Sequence, residues 1–185
     1  MTVTLTVITV IISVSVGFMY QLTKEPIEAA NAVKLNLALK TVLPEYGNNP
    51  LADAYEIENF DGAVNQLICY PGSRNGDLSG IAVKTWTNSG FSGMIRLMVG
   101  FDPSGTIVNI SVLEQKETPG LGTKITKPKF KDQYNGKNPG ANNLKMKKDG
   151  GEIDAITAAT ISSRAFSDAV ERAYKSLEKE GKFEK

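Results

Sequence analysis

Hydroxyl side chains cluster where the last amphipathic segment of the chain begins, at residues 154–163 (DAITAATISS), here termed the threonine segment. Threonine and serine at such a position commonly cap a helix by accepting hydrogen bonds from its free N–H groups. The same N–H groups and the helix dipole also attract phosphate. The small side chains of Ala158 and Ala159 would let a phosphate approach the backbone. The segment therefore predicts either an ordinary helix cap or a hydroxyl held beside, or bonded to, a phosphate.

A second segment with unusual composition precedes the threonine segment. It covers residues 117–123 (ETPGLGT) and is here termed the Pro-Gly loop. Pro119 and Gly120 favour a tight turn. The two glycines of the loop would also let the backbone lie against a flat ring. The loop therefore predicts either an ordinary Pro-Gly turn or one wall of a site for a planar ligand.

Two scarce residue types exclude whole classes of chemistry. The chain has no histidine, which removes imidazole ligation of haem, zinc or copper and the histidine-dependent nucleophile pairs. Its one cysteine, Cys69, cannot hold an iron–sulfur cluster or an internal disulfide, and its apolar neighbours favour a buried side chain over a reactive thiol. Any redox chemistry would therefore use a bound organic cofactor. The net charge of +1 gives no global attraction to nucleic acid.

The threonine segment resembles a motif of the FMN-binding domain that is shared by the Rnf complex, the sodium-translocating NADH:quinone reductase and related flavoproteins. That motif has the form Asp-x-x-Ser/Thr-Gly-Ala-Thr-x-Ser/Thr, and Ala158 stands here where the family usually has glycine. In that family a flavin transferase joins FMN to the last threonine through a phosphodiester. The resemblance therefore implies covalent FMN on Thr160. If the backbone at Ala158 needs a positive φ, alanine costs free energy there, whereas alanine costs nothing if the helix has already begun.

The Pro-Gly loop supports the same resemblance, because the family carries a Glu-Thr-Pro-Gly-Leu-Gly loop at a similar distance before its threonine. Backbone N–H groups of this turn are expected to meet the carbonyl and ring-nitrogen edge of the flavin. The segment at residues 90–95 (GFSGMI) is also similar to the family, with Phe91 either shielding the flavin or packing in the core. The cofactor site implied by the resemblance consists of Asp154, Thr157, Ala158, Ala159, Thr160, Glu117, Thr118, Gly120, Leu121, Gly122 and Thr123.

The N-terminal segment predicts a membrane anchor. Residues 3–20 carry no charge and are long enough to span a hydrocarbon core as a helix, with hydroxyls that bond back to helix carbonyls. A cleaved signal peptide would need a basic region before the apolar run, and none is present. A buried strand is the other alternative, but the run is too long for one. Lys24 alone would weakly favour a cytoplasmic domain by the positive-inside rule, whereas the family resemblance implies a periplasmic or extracellular one.

The whole chain predicts an α+β fold. We expect a transmembrane anchor at residues 1–22, a stalk helix at 23–45 that Pro44 ends, and one FMN-binding domain at 46–185. That domain would hold an antiparallel sheet with strands at 62–70, 78–86, 94–101 and 106–114, and an Asn-Gly turn joins the first pair. Residues 116–151 predict a long loop that is either solvated or wrapped around a ligand, and a helix follows at 161–177.

The resemblance also implies a role. It fits best the G subunit of the Rnf complex, a membrane complex that transfers electrons between ferredoxin and NAD and moves sodium or protons. The chain would be a redox subunit that is not catalytic alone, with the other subunits, the flavin transferase and membrane lipid as partners. The alternatives are a stand-alone anchored flavoprotein reductase, the equivalent subunit of the sodium-translocating NADH:quinone reductase, or a module that keeps the fold without flavin.

Overall fold

The computed structural model describes residues 2–63 and 65–183. Its elements in chain order are α1 (Thr2–Val42), β1 (Tyr55–Ile57), β2 (Leu67–Arg74), β3 (Asp77–Thr87), β4 (Ile95–Phe101), β5 (Ile107–Glu114), α2 (Pro128–Lys131) and α3 (Thr160–Lys179). Short 3₁₀ turns lie at Gly122–Thr126, Asp132–Tyr134 and Lys147–Asp149. The chain divides into two compact units between Leu37 and Ala38.

The first unit consists of most of α1, which is long and apolar enough to cross a membrane. Its apolar side chains are exposed, as Val7, Phe18 and Leu22 illustrate. The hydroxyl of Thr9 donates to the carbonyl of Leu5 at 2.9 Å, and other hydroxyls of the helix make the same bond. This confirms the expected pairing of hydroxyls with helix carbonyls. The segment is a helix and not the alternative buried strand.

The second unit contains a five-stranded sheet in which every neighbouring pair is antiparallel, in the order β1-β2-β3-β4-β5. Asn75 and Gly76 join β2 to β3 with φ values of 56° and 96°, as the predicted Asn-Gly turn requires. Strands β4 and β5 lie within one residue of their predicted bounds. The α+β prediction is therefore confirmed.

The first predicted strand, residues 62–70, begins and ends too early. Strand β2 begins at Leu67 and continues through Pro71 to Arg74. The proline is tolerated because β1 pairs with β2 only as far as Cys69. Beyond it, Gly47 and Asn48 bond to the carbonyls of Pro71 and Ser73 and to the N–H of Ser73, so no bond at this edge requires an N–H from Pro71. A register shift after Gly72 also accommodates the irregular backbone. Strand β1 has no counterpart among the predicted strands.

Helix α3 covers one face of the sheet. Every second side chain of β3 and β4 points to this face and packs in one core with Ala169, Val170 and Ala173 of the helix. The hydroxyl of Thr85 donates to the carbonyl of Ala169 at 3.0 Å and fixes the helix on the sheet. Cys69 lies wholly buried in this core, and burial raises the pKa of its thiol to about 12. This confirms the interpretation of Cys69 as a buried small side chain.

The end of α1 lies on the opposite face of the sheet, where Leu39 and Val42 are buried. Gly100 of β4 makes this packing possible, since a Cβ there would lie 1.9 Å from the carbonyl oxygen of Val42. The helix ends at Val42, just before Pro44, which is where the sequence predicted it to stop. The backbone of the second unit therefore begins within α1.

The segment at residues 116–151 is more structured than the predicted long loop. Apolar residues that stand isolated among its polar ones, among them Phe130, Tyr134 and Leu144, are buried in the same core as α3. Phe130 and Tyr134 both pack against the ring of Phe166, with centroids 5.2 and 5.1 Å from it. The turns are too short to produce a periodic hydrophobic pattern, which is why the sequence suggested a loop.

Candidate functional site

Thr160 is the first residue of α3, and the backbone before it is held by a serine one turn further on. The N–H of Ile156 donates to the Ser163 hydroxyl at 3.0 Å, and that hydroxyl donates to the carbonyl of Ala159 at 2.9 Å. Within residues 65–183, no side-chain hydrogen bond caps the helix at Ala159. The hydroxyl cluster is therefore not an ordinary cap, and the N-terminal N–H groups of α3 keep their affinity for an anion.

Ala158 has a φ of 62°, in the left-handed region that favours glycine. This is the position where the related motif usually has glycine. The positive φ turns the chain so that Ala159 can begin the helix, with its N–H bonded to the carbonyl of Ile156 at 3.0 Å. A position at which the related motif usually has glycine thus has a conformation that glycine favours, and the alanine holds it under strain.

A buried carboxylate joins the Pro-Gly loop to α3. Glu117 is only 4% exposed. Its Oε2 accepts a hydrogen bond from the Ser162 hydroxyl at 2.6 Å, and its Oε1 accepts one from the N–H of Ser92 at 3.1 Å. A Cβ at Gly122 would lie 2.6 Å from Oε2, so only glycine leaves room for this carboxylate. Glu117 therefore fixes three separate segments around Thr160.

The Pro-Gly loop forms a type II turn with Gly120 at a φ of 75°. The N–H of Leu121 donates to the carbonyl of Thr118 at 3.2 Å, and the N–H of Gly120 donates to the hydroxyl of Thr123 at 3.0 Å. These two N–H groups are therefore engaged within the loop and are not directed at a ligand. What the turn presents outward is the side chain of Leu121, which is 40% exposed.

A cavity of about 350 Å³ lies between these segments. The residues that line it are Phe91, Glu117, Thr118, Leu121, Gly122, Ala158, Ala159, Thr160, Ile161 and Ser162. Phe91 and Ile161 are 67% and 49% exposed, so the cavity has apolar walls that are open to water. Such walls suit a flat aromatic ligand. Of the two alternatives for Phe91, packing in the core is wrong, because the ring stands in solvent and lines the same cavity as Thr160.

The predicted site residues divide into three groups. Seven of them line this first cavity. Asp154 and Thr157 instead line a neighbouring groove of about 720 Å³, together with Phe130 and the lysines at 124, 127 and 129. Gly120 and Thr123 stabilise the turn of the Pro-Gly loop. Gln133, which is not among the predicted site residues, holds Asp154 by accepting from its N–H at 2.8 Å and donating to its carbonyl at 3.3 Å.

The 3₁₀ turn at Lys147–Asp149 contributes a further residue that was not predicted from the sequence. The Nζ of Lys148 donates to the Thr160 hydroxyl oxygen at 2.7 Å. Beside it, Arg164 donates two hydrogen bonds to Asp149, which lower the pKa of that carboxyl below its ordinary value. The signal in the sequence was the pair of adjacent lysines, Lys147 and Lys148, which five residues separate from the threonine segment.

Comparison with known proteins agrees with this geometry. A family model described as an FMN-binding domain matches residues 90–175, which include Phe91, the Pro-Gly loop and the threonine segment. The G subunit of the ion-translocating oxidoreductase complex of Vibrio cholerae is 37% identical over 166 residues, 85% of this chain and 79% of that protein. The chain belongs to this G-subunit family. The family resemblance inferred from the motifs is thereby confirmed.

Other members of the G-subunit family are similarly close. The protein from Shewanella piezotolerans is 34% identical over 167 residues, 85% of this chain and 79% of its own length. The protein from Haemophilus influenzae is 35% identical over 159 residues, covering 83% and 77%. Among solved structures, the C subunit of the Na⁺-translocating NADH-quinone reductase from Parabacteroides distasonis aligns with a TM-score of 0.51, at 20% identity over 82% of this chain and 83% of that chain. This last likeness concerns the fold.

Proposed function

We propose that the chain is an electron-transfer subunit of an ion-translocating oxidoreductase complex and carries one FMN bound through a phosphodiester to Thr160. The observation that carries this proposal is the Thr160 hydroxyl, which lies at an uncapped helix N-terminus and lines the cavity of about 350 Å³ with Phe91, Leu121 and Ile161. The helix end suits the phosphate, and the apolar walls suit the flavin ring. FMN would supply electron transfer in single or paired steps.

The residues around the cavity would each have a separate task. Ala158 and Ala159 would leave space for the phosphate, and Phe91 and Leu121 would contact the ring. Glu117 would keep the Pro-Gly loop and α3 at a fixed separation through its bonds to Ser162 and Ser92. Asp154 and Thr157 would hold the backbone that leads to Thr160 and would border the neighbouring lysine-lined groove. A covalent bond would keep the cofactor on the protein where free FMN is scarce.

We further propose that residues 1–22 anchor the protein in the membrane, residues 23–45 form a stalk, and residues 46–185 form the FMN-binding domain. The support is the exposed apolar surface of α1. The domain would lie on the periplasmic or extracellular side of the plasma membrane, where the flavin transferase of the related proteins acts. The remaining partners would be the other members of the complex and the surrounding lipid.

An experiment on the protein purified from its host membrane tests the carrier role. We expect flavin absorbance that is bleached by dithionite, returns with a chemical oxidant and stays with the polypeptide after denaturation. We also expect the other members of the complex to co-purify in mild detergent. A colourless protein would contradict the carrier role. A flavin-loaded protein isolated without partners would support the stand-alone flavoprotein in place of the role within a complex.

A further inference from the structure

The 3₁₀ turn at Lys147–Asp149 contacts the threonine segment and the helix that follows it through three consecutive side chains. The contacts join Lys147 to Asp154 at 2.8 Å, Lys148 to Thr160 at 2.7 Å and Asp149 to Arg164 at 2.7 and 2.8 Å. The turn therefore lies against the N-terminus of α3, and its middle residue reaches the hydroxyl that the proposed function modifies.

The backbone of this turn is fixed from both sides. Met146 before it is wholly buried, and its carbonyl accepts the N–H groups of Asp149 and Gly151 at 2.7 and 3.1 Å. The N–H of Lys147 donates to the carbonyl of Ile153 at 2.8 Å. The Cα of Lys148 is thus held close to α3, and only the side chain has to be ordered to reach Thr160.

We propose that Lys148 is a positioning residue for the modification of Thr160, an inference that rests on the proposed function. An ammonium group has donors and no acceptor. Its hydrogen bond to Oγ of Thr160 occupies one lone pair of the hydroxyl and directs the remaining lone pair toward the cavity. The same charge then lies beside the phosphate group once that group is attached, where it offsets part of the negative charge.

The modification is a phosphoryl transfer without any change of oxidation state. Its co-reactant is a flavin nucleotide whose 5′-phosphate is part of a phosphoanhydride. Oγ of Thr160 forms a bond to that phosphorus, the anhydride P–O bond breaks, and the leaving phosphate departs with the bonding electrons. The hydroxyl proton goes to a base of the transferase or to water. Lys148 cannot accept it as an ammonium, so its contribution is orientation and charge.

The test uses the full-length, unmodified chain in detergent with the transferase and its flavin nucleotide, and it follows the initial rate of mass increase. We expect Lys148→Met to slow the rate on the order of tenfold, as loss of one charge-assisted hydrogen bond does. Lys148→Arg is expected to restore most of the rate because it keeps the charge and the donors. The matched control is Lys147→Met, which removes an exposed ion pair from the same turn and should leave the rate nearly unchanged.

The outcomes separate this inference from the proposed function. If the wild-type chain gains mass and the Lys148→Met variant gains it equally fast, the role of Lys148 is overturned and the proposed function is not. Equal losses in Lys147→Met and Lys148→Met, without rescue by arginine, would show a general effect on folding of the turn and would also overturn it. Wild-type chain that never gains mass would overturn the covalent attachment, and the inference with it.

Discussion

Ala158 holds a backbone conformation that an L-residue adopts at a cost. Its φ of 62° places Cβ close to neighbouring backbone atoms, and a left-handed residue of this kind costs about 1–2 kcal/mol. We therefore predict that Ala158→Gly raises the free energy of unfolding by about 1 kcal/mol, since the relief of strain exceeds the added freedom of the unfolded chain. The midpoint temperature of thermal unfolding should then rise by about 2–4 °C.

The matched control for this substitution is an alanine inside α3. Ala165 lies in the second turn of the helix, where alanine adopts the right-handed backbone without strain. Ala165→Gly should therefore lower the free energy of unfolding, because glycine adds unfolded-state entropy and relieves nothing. If the two glycine variants changed stability in the same direction, strain at Ala158 would not be the cause.

The contacts of Glu117 and Lys148 show why residue-level prediction reached only part of the site. The Pro-Gly loop and the threonine segment are each continuous in sequence, so their residue types could be compared with a known motif. The bond from Ser162 to Glu117 spans 45 positions of the chain. The approach of Lys148 to Thr160 depends on a 3₁₀ turn that has no periodic signature. Neither contact follows from local composition.

At the scale of elements, Glu152 fastens the irregular segment that leads to the threonine segment. Its carboxylate accepts hydrogen bonds from the Lys137 ammonium at 2.6 Å and from the N–H of Asn143 at 2.9 Å, with a further bond from Asn142. These donors hold the pKa of Glu152 below its ordinary value of 4.5, with Lys137 making the largest contribution. The carboxylate form is therefore the one that stabilises this segment.

A pH dependence of stability follows from that direction of shift. A carboxyl whose pKa is lower in the folded state contributes stability above its unfolded pKa and loses it as the pH falls through the folded pKa. We predict that thermal stability of the wild-type protein drops below about pH 4.5 and that Glu152→Gln is less stable than wild type at neutral pH. The difference between the two proteins should shrink on acidification. A difference that stays constant with pH would contradict this role of Glu152.

The regular elements were predictable from sequence, and the irregular ones were not. Strands β3 and β4 are nearly continuous buried runs bounded by turn residues, because both of their faces are covered, and α3 has helical spacing because one of its faces is buried. Strand β1 has three residues, Tyr55–Ile57, which is too short for any pattern. Strand β2 contains Pro71 and Gly72. It accommodates them because β1 pairs with it only as far as Cys69, which the sequence does not show.

At the scale of the whole molecule, one helix connects an exposed apolar segment with a folded unit. The apolar stretch of α1 is long enough to span a bilayer, and the last turn of the same helix is buried against the sheet through Leu39 and Val42. The division at residues 22 and 45 stays a prediction.

Whether FMN is attached to Thr160 decides the proposed function of the molecule, and peptide mass mapping measures this attachment most directly. Trypsin releases residues 149–164 as one peptide that contains Thr157, Thr160, Ser162 and Ser163. Fragment ions of this peptide, from protein made in a host with the flavin transferase, should place an FMN-sized increment on Thr160. Thr160→Ala should lose the increment, and Thr126→Ala, a threonine outside the cavity, should keep it. An unmodified peptide, or an increment on one of the other hydroxyls, would contradict covalent FMN on Thr160.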